Sequence, residues 1–139
     1  VFAFHERPDA LQLLTPPWEQ TQVLQPPKSL MVGTVVILRT RIGPLWITIE
    51  PEHTDYQKDV LFEDTQRRGP FRAWRHRHLF LPQAATSSTP AGTLLRDEIE
   101  YEPPLHALGR LVDPVLIRPR LTRLFTYRHQ ITARQVLAA

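Results

Sequence analysis

Residues 59–80 read DVLFEDTQRRGPFRAWRHRHLF, and this stretch decides the fold class. Gly69–Pro70 divides it into two runs of alternating side chains, the pattern of two strands joined by a turn. Successive strand residues point to opposite faces. Trp74, His76, His78 and Phe80 therefore share one face, and Arg75, Arg77 and Leu79 the other. The aromatic and histidine face suits an interior, and the arginine face suits water.

The same texture extends in both directions. Upstream, GTVVILRTRI (33–42) and LWITIEPEHT (45–54) flank a Gly43–Pro44 turn, with Pro51 expected near a bulge or edge. Downstream, the small polar loop PQAATSSTPAG (82–92) leads into TLLRDEIEYE (93–102). Five strands in a row joined by short turns predict an antiparallel sheet. Ahead of it, residues 1–14 read as short and helical, with Pro8 and Asp9 as a helix start. TPPWEQ (15–20) and Pro26–Pro27 are breaks, leaving Trp18 in an irregular segment. After Pro103–Pro104 the period turns helical, through Leu105, Leu108, Leu111, Val112, Val115 and Leu116. Pro114 and Pro119 are expected to split that region, with a last helix running from about Pro119 to the end. On it Ile117, Leu121, Leu124, Phe125, Arg128 and Ile131 form one stripe, which predicts the side that faces the sheet.

The 139 residues fit one domain spanning 1–139, and 42% hydrophobic content suffices for one core. No apolar run approaches the ~20 residues that cross a bilayer, and no signal-peptide pattern is present, so the default expectation is a cytoplasmic protein. The absence of cysteine excludes disulfides, thiolate metal sites and a cysteine nucleophile. Seventeen basic residues against fourteen acidic leave only +3, a small excess that argues little for a polyanionic partner. The five glycines stand singly at expected turns and form no phosphate cradle, so no cofactor is implied.

VFAFHERPDALQLLTPPW (1–18), RRGPFRAWRHRHLF (67–80), DEIEYEPPLHALGRLVDP (97–114) and RPRLTRLFTYRH (118–129) together resemble the SRPBCC (START-like, polyketide cyclase/dehydrase-type) superfamily, in its ligand-binding subgroup. The resemblance covers nearly the whole chain. It implies an α+β helix-grip fold, a curved antiparallel sheet wrapped around a long C-terminal helix. It also implies a cavity between sheet and helix for an apolar small molecule such as a lipid or polyketide. Members of that family carry a first strand ahead of the segment matching VFAFHERP, so this sequence is expected to lack that strand at its N-terminus. The motifs are not catalytic signatures, and the favoured reading is a binding domain rather than an enzyme.

Within that cup Phe62, Trp74, His76, Tyr101, Leu121 and Phe125 are the expected ligand-lining residues. A cyclase or dehydratase would instead use His76 or Asp97 as a pocket acid or base. Asp97 lies among Leu95, Ile99 and Tyr101 on an otherwise apolar face, which predicts either a buried partner for an arginine, the favoured reading, or a carboxylate of perturbed pKa. Arg128 is the one charge in its helical stripe, and Glu6 and Asp97 are its expected ion-pair partners. His76 and His78 share a face and can both reach one ion, with His5 or His129 as a third ligand. No HxxxH or HExxH spacing supports this, however, and no metal is assigned. The basic–aromatic run QRRGPFRAWRHRH (66–78) motivates a third reading, a nucleic-acid or protein interaction module, which ranks below small-molecule binding. The sequence leaves a homodimer open.

Overall fold

The computed structural model describes residues 1–139. The chain is α+β: a six-stranded antiparallel open sheet with strands in sequence order, and a long C-terminal helix. Two single-turn helices, α1 (Phe2–His5) and α2 (Ala10–Leu13), precede β1 (Thr21–Gln25), β2 (Ile37–Ile42), β3 (Leu45–Gln57), β4 (Leu61–Arg68), β5 (Ala73–Gln83) and β6 (Gly92–Glu102). Helix α3 (His106–Val112), a π-helical stretch (Asp113–Ile117) and α4 (Arg118–Leu137) follow without interruption. No helix is long and apolar enough to cross a membrane.

Six strands form, not five. The additional one, β1, lies between the proline pairs 16–17 and 26–27, whose loop character masks the β-branched Thr21 and Val23. It pairs with β2, where Thr21 and Thr40 share a hydroxyl–hydroxyl hydrogen bond of 2.9 Å. Strand β3 joins the two halves of the sheet. Its first residues pair with β2, its later ones with β4, and its register shifts at Glu50/Pro51 and again between His53 and Asp55. Pro51, with no N–H for a ladder, sits at the first shift, where such a residue is tolerated.

The C-terminal region is continuous rather than split. Pro114 and Pro119 lack the N–H that an α-helix would bond, and the chain accommodates them in and beside a wider π turn instead of breaking. Gly109 is helical rather than in a turn. It packs so closely that a Cβ there would collide with the Pro104 carbonyl oxygen. The preceding Leu105 and His106 both have positive φ, 59° and 50°, so the chain turns sharply into α3.

Only 17 of the 139 residues are buried, and seven of them form two small apolar cores. Phe2, Leu30, Phe62 and Phe80 form one, between α1 and the sheet. Phe4, Ala10 and Leu14 form the other, against Ile131 and Val136 of α4. In so thin an interior the buried polar residues matter as much as the apolar ones.

Candidate functional site

Antiparallel register builds a polar cluster on the sheet's inner face. His78 stands opposite Asp97 on β6, while His76 stands opposite Asp64 on β4 and Ile99 on β6. The His76 side chain is 4% exposed, Asp97 7%, His78 12% and Asp64 14%. Asp97 faces three imidazoles: it accepts from His76 Nε2 at 2.7 Å on Oδ1 and from His129 Nε2 of α4 at 2.5 Å on Oδ2, and His78 Nδ1 lies 3.0 Å from Oδ1. The second nitrogens of the first two rings face the other carboxylate. His76 Nδ1 lies 3.4 Å and His78 Nε2 3.6 Å from Asp64 Oδ2. The two rings lie against each other with centroids 3.8 Å apart, and His78 stacks on Phe62 at 3.9 Å.

These contacts fix the charges. Burial alone would raise the carboxyl of Asp97, but hydrogen bonds from His129, His76 and His78 outweigh it and hold the group well below the usual carboxylate range. Asp64 is held down too, by the facing His76 and His78 rings, against the effect of its own burial. For His76 burial favours the neutral ring, yet the two carboxylates prevail and its pKa rises. His129 rises through its bond to Asp97. The neighbouring His5 goes the other way: burial lowers it to about 4, only partly offset by its bond to the Val1 carbonyl. His53, across from Asp64 on β3, is lowered by burial, and its Nδ1 has no partner.

A groove of about 620 Å³ runs between β6 and the C-terminal helix. Ile99, Tyr101, Pro103, Leu121 and Phe125 supply its apolar wall. Its polar side is a relay in which the Tyr101 hydroxyl donates to Asp113 Oδ1 at 2.5 Å and Arg118 donates to Asp113 Oδ2 at 3.0 Å. The Phe125 ring lies edge-on to His76 at 4.9 Å, so it separates groove from cluster.

Of the six expected lining residues, Tyr101, Leu121 and Phe125 line the groove and three do not. Phe62 is in the core against Phe2 and Phe80. Trp74 packs against Phe71 and Tyr101. His76 lies behind Phe125, in the cluster. Asp97 has its buried partners, but they are histidines rather than an arginine. Arg128 bonds neither Glu6 nor Asp97. The Asp97 oxygens are taken by imidazoles and Glu6 binds Lys58 at 2.6 Å, so Arg128 donates instead to the Leu14 carbonyl at 3.2 Å. Asp64 escaped the sequence reading, although alternation in LFEDTQRR places it on the face of Phe62. The arginines of the basic–aromatic run are matched to glutamates: Arg75 to Glu100 at 2.7 Å, Arg77 to Glu63 at 2.8 Å and Arg72 to Glu102 at 3.8 Å. Leu105, Leu108, Leu111, Val115 and Leu116, read as a helical stripe, are exposed.

No family model and no curated protein matches this sequence. Among solved structures the chain is similar to the crystal structure of TTHA0849 from Thermus thermophilus. The TM-score is 0.69 at 13% identity, with 99% of this chain and 87% of that chain covered. At that identity the likeness is one of fold.

Proposed function

We propose that this chain is a helix-grip domain of SRPBCC type that binds a small molecule with an apolar body in the groove between β6 and the C-terminal helix. The groove carries the reading. Its volume of about 620 Å³ lies within the ~300–1,000 Å³ usual for small-molecule sites, and its lining has the usual make-up of an apolar wall with a few fixed polar groups. Leu121 and Phe125 would face the ligand's apolar body. Arg118, held by Asp113, would face an anionic or hydrogen-bond-accepting end. The resemblance of the sequence motifs to SRPBCC proteins supports the same reading. A cyclase or dehydratase draws less support, since His76 and Asp97 lie behind Phe125 and both oxygens of Asp113 are engaged.

Anilinonaphthalene sulfonate, an apolar body with an anionic end, is a suitable probe. It should bind with enhanced fluorescence and be displaced by a medium-chain fatty acid. Leu121→Trp, which fills the groove, should abolish both effects while leaving the fold intact by circular dichroism. Equal probe affinity in wild type and Leu121→Trp would remove the groove from consideration.

A further inference from the structure

The polar cluster has a feature that groove binding does not use. Asp97 takes one nitrogen of each β5 imidazole: His76 Nε2 donates to Oδ1 at 2.7 Å, and His78 Nδ1 lies 3.0 Å from the same oxygen. His76 Nδ1 and His78 Nε2 both face Asp64 Oδ2, at 3.4 and 3.6 Å. Three donor atoms of metal-ligating type therefore converge from two neighbouring strands.

The spacing distinguishes a metal from a shared proton. Contacts of 3.4 and 3.6 Å from the rings to Asp64 Oδ2 exceed an ordinary N–H···O bond. They are close to the edge of a tetrahedron built from metal–ligand bonds of about 2.0–2.1 Å, which is roughly 3.4 Å. One donor atom from each of Asp64, His76 and His78 lies within 4.8 Å of the other two. Two imidazoles and one carboxylate match the ligand types of catalytic zinc and non-haem iron sites, which keep a position open. Asp97 occupies the place of the outer carboxylate that fixes a ligand histidine's tautomer, here for two histidines at once. Two buried carboxylates also balance the charge of a divalent ion.

We propose that Asp64, His76 and His78 bind one divalent transition-metal cation, of the zinc or ferrous class, with Asp97 orienting both imidazoles from behind. The groove ligand neither requires this ion nor is required by it. Probe binding measured on chelated and metal-loaded protein keeps the two readings separate.

The test uses the full chain after chelation and dialysis. Zinc(II) should bind at one equivalent with sub-micromolar affinity by calorimetry and raise the melting temperature. Cobalt(II) should give the visible absorption of a low-symmetry nitrogen–oxygen site. Long-range nitrogen–proton spectra of the zinc-loaded wild type should identify His76 Nδ1 and His78 Nε2 as the metal-bearing nitrogens. Asp64→Asn should abolish the cobalt spectrum, and Asp97→Asn should weaken zinc binding by about 10–100-fold. His106→Ala should leave binding unchanged. Failure of the wild type to take up either ion overturns the proposal. So does binding at any other pair of imidazole nitrogens, a measurement that does not depend on how the variants fold, or uptake that persists undiminished in Asp64→Asn.

Discussion

Asp97→Asn in metal-free protein isolates the role of the buried carboxylate in stability. The substitution keeps size and shape but removes the charge that three imidazoles face. Hydrogen bonds to a charged group contribute about 1.5–3 kcal/mol and neutral ones about 0.5–1.5, so each bond should lose roughly 1 kcal/mol of charge assistance. The bond from His76, at 2.7 Å, and the ion-pair contact of His78, at 3.0 Å, are buried and should each lose that amount in full. His129 is 43% exposed, and solvent screening reduces its share to about half. The expected destabilisation is about 2–3 kcal/mol. At about 3–4 °C per kcal/mol for a chain of this length, the melting temperature should fall by about 6–12 °C. Urea unfolding followed by circular dichroism, in EDTA at pH 7, measures it directly. A loss below about 0.5 kcal/mol would refute the reasoning, because the three contacts would then be no better than contacts to water.

His5, whose folded pKa of about 4 lies below its ordinary 6.5, gives a pH signature. The unfolded chain binds the proton first, so this contribution is present above pH 6.5 and is lost as pH falls toward 4. It amounts to about 3 kcal/mol at 1.36 kcal/mol per unit, and it should appear as the difference between wild-type and His5→Phe unfolding profiles. Gly109→Ala, which in an open helix would stabilise by about 1 kcal/mol, should here destabilise, because the added Cβ collides with the Pro104 carbonyl. An unchanged or raised melting point would contradict that packing. Phe62→Ala should lower stability by about 3–5 kcal/mol in denaturant titrations, since the ring fills the core between Phe2 and Phe80 and supports His78.

Much of the sheet is legible because period-two alternation reports which side of a strand is buried. It picks out the face carrying Trp74, His76, His78 and Phe80, and helical spacing likewise picks out the stripe from Ile117 to Ile131, whose six residues are all partly buried. Strand β1 is not legible, because its propensity is modest and prolines flank it. Cross-strand register is not legible either, and register decides that Asp64 meets His76 and His78. The Arg128 expectation fails for a related reason. The sequence shows that an isolated charge needs a partner, but not that three histidines have already claimed the nearest carboxylate. Apolar spacing from Leu105 to Leu116 identifies a helix without identifying a buried face, since periodicity reports sidedness and not what lies on that side.

The two faces of β4–β5–β6 also carry information about assembly. On the inner face histidines of β5 meet aspartates of β4 and β6, and on the outer face Arg75 and Arg77 meet Glu100 and Glu63. Sliding β5 by one residue would turn every side chain to the opposite face. Arginines would then enter the thin core, imidazoles would point to water, and both sets of partners would be abandoned together. A slip of two residues restores the faces but draws His78 away from Asp97 and sets His76 in its place, leaving Trp74 opposite Ile99. A one-residue slip would also carry Phe80 out of the core. The charged side chains add a second checksum on strand alignment, one that does not depend on apolar packing.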